Sequence, residues 1–254
     1  MAFALTIVKL EDVLEKTGCP VCRVENEVAI HSIDAFLWEN ANDPVVRRPI
    51  NDAYGFCPEH TLVLVATELS NSGPVLGVNL IYELLAKNVG QDLKALSRQS
   101  KANRRGQSLL NKFGLGRHHD WNQPVLKPKG SCPVCELVEE SAKNTLSTLF
   151  EELTAQQAKI VESYQHSHGL CLKHLRMGLE CFEGKYPQAT DFLIQDAIRR
   201  LETQQAQMLE YIRKHNWAYR DEQLSPEERS AWLRTLVFFT GYPPERFVHQ
   251  IKEF

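Results

Sequence analysis

The chain has 254 residues, of which 43% are apolar and 24% are charged, and this excludes both a disordered tail and a solvent-exposed fibre. Lys and Arg total 29 against 32 for Asp and Glu, so the net charge of -3 gives no global basic signature for nucleic-acid binding. The length allows one large or two small domains, and seven cysteines are too few for a disulfide scaffold.

The amino terminus is apolar over residues 1–8, but charged residues follow at once and no small-residue cleavage site is present. No later segment reaches the roughly 18 uninterrupted apolar residues that a membrane span needs. We therefore expect a cytoplasmic protein with no membrane partner. In that compartment thiols stay reduced and are available to bind metals.

Two cysteine-containing motifs each occur twice, in the same order. Cys19-Pro20-Val21-Cys22 recurs unchanged at 132–135, and the Gly-x-Cys-x-x-His motif at 55–60 recurs at 169–174. This repetition predicts an internal duplication. The expected domains are a first helical zinc-binding repeat (1–97), a basic linker (98–130) and a second such repeat with a C-terminal helix (131–254).

Each copy has the periodicity of amphipathic helices, and no segment alternates between apolar and polar residues as a half-buried strand does. Short helices are predicted over 61–69 and 175–182, directly after the Cys-x-x-His motifs. Pro187 is expected in the first turn of a longer helix. The predicted fold class is all-α, as an internally duplicated helical bundle with two Cys3His metal sites.

The segment between the copies is rich in Lys and Arg from Arg98 to Lys129 and has a single acid, Asp120. Its glycines and prolines indicate a solvated linker. The alternative is a contact surface for nucleic acid or another polyanion, to which His118, His119 and Trp121 would contribute.

A further helix is predicted over 226–239, because Ser225-Pro226-Glu227-Glu228 has the pattern of a capped helix start. It lies outside the repeat. Its aromatic residues Trp232, Phe238 and Phe239 are expected in the core, with a partner-binding face as the alternative.

The repeated motifs supply three thiolates and one imidazole per copy, which is the ligand set of a tetrahedral structural zinc site. The set favours zinc without separating it from iron. We predict two structural zinc ions per chain, held by Cys19, Cys22, Cys57, His60, Cys132, Cys135, Cys171 and His174.

Local geometry supports these sites. The proline of each Cys-Pro-Val-Cys motif stiffens a turn before a helix, and Gly55 and Gly169 let the chain turn sharply into the helix that carries the second pair. A helix of about 18 residues and a short return segment can bring both pairs of one copy together. On that arrangement Cys135→Ser destabilises chiefly the second repeat. The sequence leaves open whether the pairs are instead exchanged between copies.

A site with four protein ligands has no open position for a substrate, so we expect a binding or scaffolding protein and not an enzyme. A protein partner is the main expectation. A redox-responsive zinc–thiolate protein is the alternative, whereas a thioredoxin-like dithiol would need a strand before its helix.

Four other residues are weaker candidates. Cys181 is expected to be a small buried hydrophobe. His166 and His168 are expected in a loop, with a role beside the metal as the alternative. His31 is expected on a helix face, away from any metal.

The paired Cys-Pro-Val-Cys and Gly-x-Cys-x-x-His motifs resemble those of a family of uncharacterised bacterial proteins, known as a domain of unknown function. The resemblance extends from about Cys19 to about Trp217. The second copy has Leu172-Lys173 where the first has Pro58-Glu59, and no ligand is lost. The resemblance implies a bacterial origin and two metal sites, and it implies no reaction.

Overall fold

The computed structural model describes residues 4–38, 43–70, 75–111, 126–219 and 221–241. These ranges form ten α-helices and one short 3-10 helix, with no strand among them, which confirms the all-α prediction. The helices are α1 (Ala4–Leu14), α2 (Pro20–Trp38), α3 (Pro44–Asp52), α4 (Pro58–Ser70), α5 (Leu76–Asn111), α6 (Pro133–Thr154), α7 (Ala158–His166), α8 (Leu172–Phe182), α9 (Pro187–Lys214) and α10 (Pro226–Thr240).

Proline begins six of these described helices, where its fixed φ suits the first turn and its missing N–H is not needed. The predicted cap of α10 is confirmed, because Ser225 Oγ accepts from Glu228 N and the Glu228 carboxylate accepts from Ser225 N. The short helices after the Cys-x-x-His motifs begin earlier than predicted, at Pro58 and Leu172. Each therefore includes its histidine in its first turn.

The predicted linker is partly helical. α5 continues from Leu76 to Asn111, which is well past the expected boundary at Arg98. Residues 112–125, including His118, His119 and Trp121, lie outside the described residues. Polyanion binding through Arg98–Lys129 stays a prediction.

The chain divides into two compact units, and neither unit coincides with one of the two sequence repeats. The first unit contains Met1–Val28 and Val138–Phe254, and the second unit contains Ala29–Leu137. Their boundaries fall inside α2 and α6, and thus differ from the sequential division into 1–97, 98–130 and 131–254. Each unit takes its helices from both halves of the chain.

The first unit has a hydrophobic core formed by α1, the start of α2, and α6 to α9. Phe150 and Tyr164 are fully buried large side chains, and Phe150 packs against Phe182 with ring centroids 5.4 Å apart. Gly178 allows α8 to approach, because a Cβ there would come 2.8 Å from the Phe150 ring. Each buried side chain of this size stabilises the fold by about 1.5–3 kcal/mol.

The second unit buries Ile33, Ile50 and Ile81 from three helices. Gly77 lets α5 pass close to α2, because a Cβ at this position would lie 2.6 Å from the carbonyl oxygen of Leu37. Among the described residues, fewer large apolar side chains are buried here than in the first unit.

Two expectations about the core are wrong. Trp232 and Phe239 are largely exposed, because α10 turns Ala231 and Val237 to the interior. Cys181 is also exposed, since it lies in the last turn of α8, where the following Phe182 makes the contact with the core. No helix in the described part of the chain has both the length and the apolar character required to cross a bilayer.

Candidate metal centres

The eight predicted ligands form two clusters, one in each unit. Cys19, Cys22, Cys171 and His174 form the first site, and Cys57, His60, Cys132 and Cys135 form the second site. Within each cluster the ligand atoms all lie within 4.8 Å of one another. Both sites thus have the three sulfurs and one imidazole of the predicted Cys3His set.

Two helix starts meet at each site. In the first site Cys19 immediately precedes α2 and Cys171 immediately precedes α8, and the second ligand of each pair follows three residues later in the first turn. The second site uses the starts of α4 and α6 in the same way. Helix N-termini carry partial positive charge, which stabilises thiolates. The sequence spacing Cys-x-x-Cys or Cys-x-x-His therefore places both ligands of a pair beside one helix end.

The imidazole of the first site is surrounded by its three sulfurs. His174 Nδ1 lies 3.3 Å from Cys22 Sγ, 3.3 Å from Cys171 Sγ and 3.5 Å from Cys19 Sγ. The Cys22 and Cys171 sulfurs are 3.7 Å apart. His174 and two of the three cysteines are buried, and Cys22 is half-buried.

The second site has the same geometry. His60 Nδ1 lies 3.2 Å from Cys57 Sγ, 3.4 Å from Cys135 Sγ and 3.6 Å from Cys132 Sγ. The Cys57 and Cys135 sulfurs are 3.6 Å apart. Both of these cysteines are half-buried, so the second site is the more accessible of the two.

These distances fit a tetrahedral metal ion. With metal–sulfur bonds of about 2.3 Å and metal–nitrogen bonds of about 2.0 Å, a regular tetrahedron has S···S edges of about 3.8 Å and S···N edges of about 3.5 Å. The observed sulfur pairs at 3.6 and 3.7 Å are also far longer than a disulfide bond of about 2.05 Å. Both clusters could therefore hold a metal ion without rearrangement.

Charge also favours a cation at these positions. Contacts with the Cys171 and Cys19 sulfurs, together with burial, raise the pKa of the Cys22 thiol. In the second site, burial and the neighbouring Cys57 and Cys132 sulfurs raise the pKa of Cys135 to about 12. Several thiolates in one pocket repel one another, and a bound divalent cation removes that repulsion.

The ligand pairs are exchanged between the two halves of the chain. Cys135 belongs with Cys57 and His60, so the expectation that Cys135→Ser acts chiefly on residues 131–254 is wrong. Helix lengths agree with this exchange, because α3 has 9 residues against 19 in α2 and is too short to return along the whole of α2. The segment before Cys57 instead lies near the C-terminal end of α2. There Phe56 packs against Phe36, with ring centroids 5.9 Å apart.

A carboxylate contacts the second ring nitrogen of the histidine of the first site. Glu25 Oε1 lies 3.1 Å from His174 Nε2, and Lys173 Nζ donates to both oxygens of Glu25 at 2.8 and 3.0 Å. Although burial alone would raise the pKa of Glu25, His174 and Lys173 together lower it. A carboxylate in this position orients a ligand imidazole and increases its basicity. Sequence reasoning missed Glu25, whose position in the chain gives no hint of this contact.

The loop that carries Cys171 is held by a buried charged network. Arg200 donates to the carbonyl oxygens of Ser167 at 2.5 Å and Tyr164 at 3.0 Å, at the end of α7, and its Nε donates to Asp196 at 2.5 Å. Gly169 has a φ of +72° and lies against this side chain, since a Cβ there would come 3.0 Å from Arg200 Nε. The predicted sharp turn at this glycine is confirmed.

The second site has a corresponding turn. Gly55 has a φ of +100°, and a Cβ there would lie 3.0 Å from the hydroxyl oxygen of Tyr82. The loop before Cys132 is bonded to the end of α3, because Lys129 N donates to the Asp52 carbonyl oxygen at 2.7 Å. Backbone contacts therefore position both ligand pairs of this site.

A glycine at the end of α10 packs against two sulfurs of the first site. Gly241 has a φ of +77° and ends α10, with its N–H donating to Val237 O. A Cβ at Gly241 would come 2.6 Å from Cys22 Sγ and 3.2 Å from Cys171 Sγ. Only glycine fits both this backbone conformation and this space. A glycine just past a predicted helix end was a usable signal.

Among the residues that the structure describes, no histidine besides His60 and His174 joins either cluster. His166 is exposed in the last turn of α7, and His31 is exposed on α2. His168 lies in the loop before Cys171, and its Nδ1 accepts from Gly18 N at 3.0 Å, which places it beside the first site without making it a ligand.

Residues 1–246 match a family described as a family of unknown function (DUF6062), so the chain belongs to this family. No curated protein and no solved structure is similar to the chain at a significant level.

Proposed function

We propose that this family member is a zinc-stabilised helical protein with a binding or scaffolding role, in which both metal ions are structural. The observation that carries the proposal is the complete set of four protein ligands at each site. Because all four positions of a tetrahedral ion are then taken by side chains, no position is left for a water or a substrate. The same closed coordination supports a non-enzymatic role for both metal sites.

A structural metal also suits the way these sites are built. Each one fastens two helix starts that are far apart in sequence, with Cys22 and Cys171 separated by 149 positions and Cys57 and Cys135 by 78. Structural zinc contributes on the order of 10 kcal/mol to apparent folding energy. A reducing compartment such as the cytoplasm keeps these thiols available. The remaining surface is then free to bind a protein partner.

Metal analysis of the untagged full-length protein tests the proposal. We expect two zinc ions per chain and a colourless protein, whereas ferric iron held by thiolates absorbs visible light. Removal of zinc by a chelator should unfold helices, and added zinc should restore them. Circular dichroism measures both changes in helix content.

The matched control is Cys181→Ser, which changes the one cysteine outside both sites and should leave the zinc content at two. A metal-free protein with unchanged helix content and unchanged thermal stability would refute the structural role. A site that binds an external ligand directly on the metal would refute the closed coordination.

A redox-responsive role is the second candidate, and the exposure of the second site favours it. Cys57 and Cys135 are both half-buried, so a small oxidant has access to two of that site's three thiolates. Oxidised sulfur loses its affinity for zinc. We expect mild peroxide to release the zinc of the second site before that of the first, measured with a colorimetric zinc chelator. Retention of both ions under peroxide would exclude this candidate.

A further inference from the structure

A short loop places Cys171 in the first site. α7 ends at His166 and α8 begins at Leu172, so residues 167–171 connect the two helices. Cys171 is the N-cap residue of α8, but its side chain makes no capping hydrogen bond, and its sulfur instead lies 3.3 Å from His174 Nδ1. The position of this sulfur therefore depends on what holds the loop.

Three buried or mostly buried side chains from α7 and α9 hold the loop. We call them the loop brace, which consists of Tyr164, Asp196 and Arg200. Arg200 donates to the carbonyl oxygens of Ser167 at 2.5 Å and Tyr164 at 3.0 Å. The hydroxyl oxygen of Tyr164 accepts from Leu170 N at 3.2 Å, directly before Cys171. The brace thus binds both the first residue of the loop and the residue that precedes the ligand.

A buried carboxylate fixes the guanidinium of the brace. The Asp196 side chain is only 5% exposed, and its Oδ2 accepts from Arg200 Nε at 2.5 Å. Two charges with so little access to water are tolerated because they pair with each other. The planar guanidinium can bind a carboxylate through Nε and carbonyl oxygens through its terminal nitrogens at the same time, which a lysine ammonium cannot do in one fixed arrangement.

The loop backbone packs directly on Arg200 at Gly169. This glycine has a φ of +72°, and a Cβ there would come 3.0 Å from Arg200 Nε. On its other side, Gly169 N donates to Ser167 Oγ at 3.0 Å. Cys171 follows two residues later. The direction in which the chain enters α8 is therefore set where it crosses the Arg200 side chain.

The second site has a side chain in the equivalent place. A Cβ at Gly55 would lie 3.0 Å from the hydroxyl oxygen of Tyr82, as one at Gly169 would from Arg200. In both units the side chain comes from the long helix after the Cys-x-x-His helix, α5 or α9. Within the described ranges Tyr82 makes no hydrogen bond, so it supports its turn by packing, whereas Arg200 also binds the loop carbonyls.

We propose that the loop brace positions the Cys171 sulfur for metal binding, so that Arg200 sets the affinity and the ligand geometry of the first site without being a ligand. Arg200 is a positioning residue, because it acts through the backbone of residues 167–170. Groups that orient metal ligands from outside the coordination sphere change metal affinity by about 10- to 100-fold. The proposal rests on the metal sites of the proposed function.

The test uses the full-length protein with cadmium-113 in both sites, because the NMR signal of this nucleus depends on the geometry of its sulfur ligands. We expect one signal for each site, and Cys22→Ser identifies the signal of the first. Arg200→Lys should shift that signal and leave the other unchanged. In a competition titration with a chelator, Arg200→Lys should weaken zinc binding at the first site at least about tenfold.

Arg199→Lys is the matched control. Arg199 Nη2 donates to the other oxygen of Asp196 at 2.5 Å, but its side chain is 60% exposed and makes no hydrogen bond to residues 167–171, all of which the structure describes. An exposed ion pair of this kind contributes little. The control should therefore keep both cadmium signals in place and change zinc affinity less than twofold.

Tyr164→Phe is a second variant that does not depend on how well Arg200→Lys folds. It keeps the buried ring and removes only the oxygen that accepts from Leu170 N. It should shift the signal of the first site alone, with the helix content of the wild type by circular dichroism.

The outcomes separate this proposal from the proposed function. A first-site signal and zinc affinity unchanged in both Arg200→Lys and Tyr164→Phe overturn it, even if both variants are less stable, since a brace that only stabilises the fold gives that result. Equal shifts at both sites, or an effect of Arg199→Lys as large as that of Arg200→Lys, overturn it too. A wild-type protein that binds no metal refutes the proposed function and this proposal together.

Discussion

Exchanged ligand pairing makes a prediction that the sequence order alone does not. Cys22→Ser removes one thiolate from the first site, whose other pair, Cys171 and His174, comes from the second half of the chain. The loss of stability should therefore appear in α8 and leave α4 unchanged, although α4 lies in the same sequence repeat as Cys22. Cys135→Ser should give the reverse pattern, because its partners lie at the start of α4.

The expected size follows from the energetics of structural zinc. Such a site contributes on the order of 10 kcal/mol, which is comparable to the whole stability of a domain, about 5–15 kcal/mol. The exchanged arrangement also closes longer loops than pairing within a repeat, which would join residues about 35 apart. Closing 149 residues in place of about 35 constrains the unfolded chain by a further ~1.3 kcal/mol for the first site, and closing 78 by ~0.7 kcal/mol for the second.

Hydrogen–deuterium exchange with mass spectrometry separates the two patterns. A loss of at least about 4 kcal/mol accelerates exchange by roughly a thousandfold in the affected unit, because each 1.4 kcal/mol is a factor of ten. For Cys22→Ser we expect this at Leu172–Phe182, with less than a tenfold change at Pro58–Ser70. Zinc content should fall from two to one in each variant. Loss of protection at Pro58–Ser70 with Leu172–Phe182 unchanged would show that the pairs are not exchanged, and would refute the assignment of both sites.

The remaining predictions concern single side chains and pH. Glu25→Gln should weaken zinc binding at the first site about 10- to 100-fold in a competition titration with a chelator. Glu27→Gln on the same helix should change it less than twofold, because the half-buried Glu27 pairs with Lys9 and Lys16. Gly241→Ala should destabilise the first unit by at least about 2 kcal/mol in denaturant unfolding, because the backbone at Gly241 is left-handed and the new methyl group would meet a sulfur. The control Gly90→Ala, in open space on α5, should instead stabilise the protein by about 0.5–1 kcal/mol. Ser225→Ala should cost about 1 kcal/mol by the same measurement, and an unchanged midpoint would mean that the capping box does not hold α10. Both zinc ions should be released as the pH falls, because sulfur and imidazole bind metal only when deprotonated, and a metal content independent of pH would contradict thiolate ligation.

Local sequence chemistry was sufficient to predict which residues form the two Cys3His clusters, whereas α4 and α8 begin three residues earlier than predicted. Cysteine spacing, proline at the first helical position and glycine two residues before a cysteine are all effects over a few residues. They identify each ligand pair separately, and the positive φ of Gly55 and Gly169 confirms this part of the reasoning. They contain no information about which two pairs meet.

The pairing depends on lengths that only the folded chain defines. A return segment can bring Cys57 back to Cys19 only if it is about as long as α2, and α3 is half that length. Glu25 is invisible for the same reason, because its contact with His174 exists only once the exchanged pairing is known. The exposed aromatics of α10 have a different cause. Apolar residues occur around most of that helix, so the pattern does not say which side faces the core.

The exchange of ligands also sets the order in which the chain can complete its sites. The second site becomes complete when Cys135 is available, 78 positions after Cys57. The first site cannot be completed until Cys171 has been synthesised. Cys19 and Cys22 are therefore without their partner ligands during synthesis of the whole second unit. The unit with fewer buried apolar side chains among its described residues is thus the one whose metal site can close first, before the larger core of the first unit exists. A metal ion bound there early would compensate for a small core, because it would fix two helix starts with contacts that do not depend on the rest of the chain.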